Sequence, residues 1–143
     1  MYCNQLTMQM QAEAKDIFSL LFDIEKWGDL LPHCVAAQLI EQDENHQVAV
    51  IKIQSGKKID TIKTVRRFEQ NKWISFEQTP PPAPLQIHRG KWILTDKDGG
   101  TEVVVIHELK TKFGRLLESF IWHFFVKKHS LATLNKVKKE VEK

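Results

Sequence analysis

With 143 residues, 42% of them hydrophobic and 27% charged, the chain has the make-up of one soluble globular domain, residues 1–143, large enough for a real core. No apolar run approaches the roughly 20 residues of a membrane helix, and the net charge is only +3. Cys3 and Cys34 form neither a disulfide framework nor a zinc-ligand pattern, so no metal is expected.

The first 15 residues, "MYCNQLTMQMQAEAK", lack a basic region followed by an apolar core, which predicts no secretory signal and a cytoplasmic protein. Within them Tyr2, Asn4, Leu6, Met8 and Met10 alternate as a first strand would. In "AKDIFSLLFDIEKW" the residues Ile17, Phe18, Leu20, Leu21 and Phe22 crowd one helical face. Trp27, Leu30 and Leu31 continue into a second short helix that Pro32 helps to end. From His33 to Lys112 the period falls to two, interrupted at "DENH", "SGKK", "EQNK", "PPPAP" and "DKDGG". Five breaks separate six strands with short connections, which favours an antiparallel meander, and the N-terminal strand makes seven. After Gly114, the residues Leu117, Phe120, Phe124, Leu131, Leu134 and Val141 recur at helical spacing, predicting one amphipathic helix to about Glu140. Lys127, Lys128, Lys136, Lys138 and Lys139 crowd this end, which suits either a solvated face or an acidic partner.

Alternation assigns the face of each strand. In "TEVVVIHELK" the set Val103, Val105, His107 and Leu109 points inward, because the other set sends Glu108 and Lys110 into the core. The same test turns Ile74, Phe76 and Gln78 inward, and likewise His88, Gly90, Trp92 and Leu94. Alternation alone does not settle "KIDTIKTVRRFEQ". The set Ile62, Thr64, Arg66 and Phe68 is preferred because it places one cation inside where the alternative places two. An inward face holding Arg66, Gln78, His88 and His107 is too polar for a plain core, since each unpaired buried polar group costs roughly 1–3 kcal/mol. A cavity between a bent sheet and the long helix relieves that cost, and apolar walls with few polar anchors are the make-up of a small-molecule site. The aromatic and apolar residues Trp27, Phe76, Trp92, Val105, Phe120 and Phe124 are its expected walls.

Three stretches resemble the polyketide cyclase/aromatase branch of the START-like (Bet v 1-like, SRPBCC) helix-grip superfamily. They are the short-helix segment "FDIEKWGDLLPH", the strand-turn-strand "TVRRFEQNKWISFEQ" and the hairpin "GKWILTDKDGGTEVVVIHEL". The chain departs from the family at Gly28, where a proline often stands, and at "KTKFGRLLES", which replaces a proline-containing loop before the long helix. The resemblance implies an α+β helix-grip fold: a strongly bent seven-stranded antiparallel sheet wrapped around a C-terminal helix, with two short helices after the first strand. It implies regiospecific aldol condensation and dehydration of a poly-β-ketone tethered to an acyl carrier protein, alongside polyketide synthase components, in a monomer or homodimer. Neither metal nor redox cofactor is implied, nor a membrane or nucleic-acid partner. Carried over residue by residue, the resemblance points to Trp27, Arg66, Trp92 and His107.

That chemistry gives the polar residues roles. Arg66 suits a developing enolate or alkoxide, His107 exchanges protons, with His88 as the alternative, and Gln78 and Thr64 orient carbonyls. The rival expectation is a non-catalytic carrier of a lipid, quinone or other apolar molecule, because the same superfamily contains such proteins.

Overall fold

The computed structural model describes residues 1–143. Strand β1 (Tyr2–Met10) leads into helix α1 (Ala14–Phe22), a 3₁₀ turn (Ile24–Lys26) and the short helix α2 (Trp27–Leu30). Six strands follow: β2 (Cys34–Gln42), β3 (His46–Ser55), β4 (Lys58–Glu69), β5 (Trp73–Gln78), β6 (Ile87–Lys97) and β7 (Gly100–Lys110). Together with β1 they form one antiparallel sheet in the order β1-β7-β6-β5-β4-β3-β2. Each expected break is a connection, and each inward set lies on the buried face, including Ile62, Thr64 and Arg66 of β4. The β6–β7 turn shows the local logic. Lys97 pairs with Gly100, so Asp98 and Gly99 alone make the loop, and both have the positive φ that a tight right-twisted hairpin requires.

The C-terminal helix differs from the sequence expectation in its interior. It runs as α3 (Arg115–Ile121), a π turn (Trp122–Val126) and α4 (Lys127–Val141). The wide turn changes the phase of the helix, so Glu118 and Ile121 before it, Trp122 at its start and Ser130, Thr133, Leu134 and Val137 after it all face the sheet. Leu134 and Val137 pack with Ile17, Leu21 and Ile24 of the short helices and with Ile74, Leu94 and Val103 of the sheet. Fully burying such a side chain contributes roughly 1.5–3 kcal/mol. Leu109, Ile121 and Trp122 form a second, smaller cluster at the other end of the helix. No helix is long and apolar enough to cross a membrane.

Candidate functional site

Between the concave face and the helix lies a cavity of about 530 Å³. Its walls include Trp27, Thr64, Arg66, Phe76, Gln78, His88, Trp92 and His107, eight of the eleven residues that the sequence assigned to the site. The other three are corrections. Val105 is fully buried within the core, in the cross-strand row Val105–Trp92–Ile74 that closes the cavity floor. Phe120 and Phe124 point to solvent, 49% and 54% exposed, and stack on each other with ring centroids 4.5 Å apart. The stripe they form with Leu131 is real but lies on the outside of the helix, because the π turn shifts the phase and Trp122 and the polar Ser130 and Thr133 occupy the inner stripe. Phe125, one residue on, lines the cavity at its mouth.

Arg66 is 4% exposed and has no carboxylate partner. One terminal nitrogen, Nη2, donates to the Leu21 carbonyl at the end of α1, which also accepts from Trp27 Nε1 at 2.9 Å. The guanidinium lies over the Trp27 ring, 5.0 Å from its centroid. Nη1 is buried without any hydrogen-bond partner. Burial lowers the Arg66 pKa to about 9, which leaves it cationic at neutral pH. A helix C-terminus thus holds the cation, while the residue lines the cavity.

Opposite lies a continuous polar chain. Gln78 Oε1 meets His88 Nδ1 at 2.9 Å, His88 Nε2 meets His107 Nδ1 at 3.1 Å, and His107 Nε2 meets Ser130 Oγ at 3.0 Å. Register explains how the rings meet. His88 pairs with Leu109 and Gly90 with His107, so the histidines are diagonal neighbours on one face. The glycine makes the approach possible, since a Cβ at Gly90 would stand 2.6 Å from the Phe76 ring and 2.0 Å from the Ile106 carbonyl oxygen. Phe76 and Trp122 then flank His107, each with its ring centroid 5.5 Å away. Burial lowers the His88 pKa to about 4. Burial first, and His88 second, lower that of His107 to about 3. Both rings are neutral at pH 7.

Ser130 was missed by sequence reasoning, although a signal was present: Ser130, Leu134, Val137 and Val141 fall on one helical stripe, and a hydroxyl in an apolar stripe marks a polar partner. The sole carboxylate on the cavity wall is Asp60, which is half-exposed and paired with Lys58 at 3.5 Å. No group of three or more His, Cys, Asp or Glu side chains is arranged to hold a metal ion. The arrangement can therefore stabilise an oxyanion from Arg66 and exchange protons through imidazole and hydroxyl, inside a mostly apolar chamber.

The profile of the family described as "Polyketide cyclase / dehydrase and lipid transport" matches residues 10–138. The granaticin polyketide synthase bifunctional cyclase/dehydratase of Streptomyces virginiae is 24% identical over 94 residues, 65% of this chain and 31% of that one. The ribosome association toxin RatA of Vibrio cholerae is 26% identical over 100 residues, 70% of this chain and 66% of that one. Among solved structures, the di-domain ARO/CYC BexL from the BE-7585A biosynthetic pathway superposes with a TM-score of 0.87 at 22% identity, covering 99% of this chain and 50% of that one. The chain thus spans half or less of two of these proteins and about two thirds of the third. At such identity the superposition establishes the helix-grip fold alone.

Proposed function

The chain belongs to the polyketide cyclase/dehydrase and lipid transport family, and from that premise we propose that it is a polyketide cyclase/aromatase acting on a poly-β-ketone bound to an acyl carrier protein. The reaction is regiospecific aldol closure followed by loss of water to give an aromatic ring. The observation that carries this reading is Arg66, a buried cation without a carboxylate partner, on the wall of the same apolar chamber as the neutral His88–His107 pair.

The chemistry follows from the groups. A methylene between two ketones loses a proton, and the electron pair moves onto oxygen as an enolate. Arg66 holds that oxygen by a charge-assisted hydrogen bond in a site of low dielectric. The enolate carbon attacks a second carbonyl, and a later proton transfer releases the new hydroxyl as water. His107, with His88 behind it, is the proton-exchanging group, because no carboxylate lies deep in the chamber. Trp27, Phe76 and Trp92 hold the chain in one fold, while Thr64 and Gln78 orient its carbonyls.

The carrier protein docks beside the mouth. From Lys110 to Lys128 the one acidic residue is Glu118, which is buried, so the outer face there shows Lys110, Lys112, Arg115, Lys127 and Lys128 around Phe120 and Phe124. Lys57 and Lys58 lie on the β3–β4 hairpin near Ser55 and Asp60 of the cavity wall. An acidic partner with a small apolar patch complements this surface.

The test is incubation of the protein with a carrier-bound poly-β-ketone and identification of the products. One dominant aromatic regioisomer is expected. The mixture that forms spontaneously, obtained unchanged with the protein present, would overturn the reading. The alternative, a lipid or quinone carrier, draws on the predominantly apolar walls. It requires a bound apolar molecule that leaves the cavity chemically unaltered.

A further inference from the structure

We propose that Ser130, not His107, is the group that touches the reacting chain, and that protons enter and leave the chamber's polar network through its hydroxyl along Ser130–His107–His88. The proposal rests on the cyclisation reading above and deepens it.

The geometry leaves His107 no free nitrogen. Nδ1 is engaged by His88 at 3.1 Å and Nε2 by Ser130 at 3.0 Å. The far end of the chain fixes its direction. Gln78 Oε1 can only accept, so His88 donates from Nδ1, and its Nε2 accepts from His107 Nδ1–H. His107 Nε2 must then accept from the Ser130 hydroxyl. Every link is satisfied with both rings neutral, as their burial demands. Ser130 lines the cavity, and a serine that donates its single proton keeps lone pairs for an incoming one.

The proton count closes. When a methylene C–H breaks, its electron pair becomes the enolate beside Arg66 and its proton binds Ser130 Oγ. The serine's own proton passes to His107 Nε2, and the proton of His107 Nδ1 passes to His88 Nε2. His88 is then cationic, with Nδ1–H still donated to Gln78, whose amide oxygen does not take the proton onward. The enolate's negative charge offsets the cation it creates, so the charged state arises only with the chain in place. The enolate carbon's attack makes the second carbonyl an alkoxide, and the chain run backwards, His88 to His107 to Ser130, delivers the stored proton to it as the new hydroxyl. Dehydration uses the relay once more. The second C–H proton passes inward through Ser130, its electron pair forms the new C=C, and the proton returns through Ser130 to the departing hydroxyl as the C–O bond breaks. Both methylene protons leave in the water, and no outside acid or oxidant is needed. Gln78 is a positioning residue in this scheme, and Ser130 is the catalytic one.

Single-turnover cyclisation of a carrier-bound poly-β-ketone in mixtures of H₂O and D₂O tests this. The parent protein should give a curved dependence of rate on deuterium fraction, the sign of several protons moving together. Ser130→Ala should lose about 10²–10⁴-fold in rate and the curvature, while still binding the chain, read by quenching of tryptophan fluorescence. Ser130→Thr keeps a hydroxyl and should recover much of the rate. Side-chain ¹⁵N spectra of the ligand-free protein should show both His88 and His107 protonated at Nδ1. Parental rate and curvature in Ser130→Ala, or a His107 protonated at Nε2, would overturn the relay and leave the cyclisation reading standing. A parent protein that cyclises nothing would remove that reading, and this step with it.

Discussion

Arg66 and His107 occupy one cross-strand row of the sheet, three strands apart, joined through Phe76 and Gly90. On a flat sheet three strand spacings are about 14 Å, and the bend of the sheet around the helix turns the two residues toward a shared space. The cationic and imidazole halves of the cavity wall are therefore set by one backbone register. A slip of one residue in any of the three pairings would turn a half of it outward.

Arg66→Ala should lower cyclised product by about 10²–10³-fold, the scale for losing one oxyanion donor. Thermal stability should change little, because the variant removes a buried cation that lacks a carboxylate and Trp27 Nε1 still serves the Leu21 carbonyl. Arg66→Lys should recover little, since a point charge replaces a planar fork. Product analysis and a melting curve on each variant check this, and normal cyclisation by Arg66→Ala would make Arg66 a structural residue.

His107→Leu keeps roughly the volume and interrupts the polar chain. The cyclised product should fall by about 10²–10⁴-fold with the melting temperature near the parental value. His107→Gln should lie between the two if hydrogen bonding is the main task of the side chain. Unchanged rate and product pattern in both variants would leave the chamber acting by shaping the chain alone.

Stability should fall with acidity in a defined window. Both buried histidines have folded-state pKa values, about 4 for His88 and about 3 for His107, below the ordinary value of 6.5. The unfolded chain therefore binds more protons between those limits. Their neutral burial is fully tolerated above pH 6.5, and stability is lost as pH falls toward 3, by at most about 1.4 kcal/mol per pH unit for each histidine. Denaturant midpoints from pH 7 to pH 4 measure the slope, which should be shallower in His107→Leu. A flat profile would mean that the rings are not held neutral.

Gly90→Ala should destabilise the protein by about 1–3 kcal/mol, the scale for forcing an atom into a packed site. The new Cβ meets backbone at Ile106 as well as the Phe76 ring, so a side-chain rotation alone cannot relieve it. The variant should also lose cyclisation beyond its stability loss, because strand β6 carries His88. Equal stability to the parent in urea unfolding would contradict the close approach.

If exposed lysines steer an acidic carrier as proposed, raising the ionic strength should raise KM for carrier-bound substrate without changing kcat, because salt screens them. Lys127→Glu with Lys128→Glu should mimic high salt, and Phe124→Ser should raise KM in a salt-independent way. A salt-insensitive KM would make these residues a solvated face only.

The strands were legible because alternation and turn residues act locally, and the inward positions of Arg66 and His107 followed from the cost of burying the opposite faces. Depth along a strand was not legible. Val105 and His107 share a face, yet one row is floor and the other wall, and only the pairing with Trp92 or Gly90 separates them. The helix misled for a different reason. Its most apolar stripe, through Phe120 and Phe124, is the outer one, while the inner stripe carries Ser130 and Thr133 and so looks polar. Periodicity finds the greasiest face, not the one that meets the sheet. The link from Gln78 to Ser130 joins residues 52 positions apart (130 − 78) and needs three dimensions to be seen.

The π turn at Trp122–Val126 gives the fold an evolutionary lever. The wide turn takes up roughly one residue more than an α turn, which keeps both halves of the helix seated on the sheet. The same residues wound as ordinary α-helix would rotate α3 against α4 by about 100°, and Trp122 would swing away from His107 while Leu134 and Val137 stayed in the core. A one-residue deletion inside the segment, by contrast, lets it rewind with both halves still in place. A length change of one residue is thus absorbed here with every strand left as it was, whereas the same change elsewhere in the helix would turn one half off the sheet.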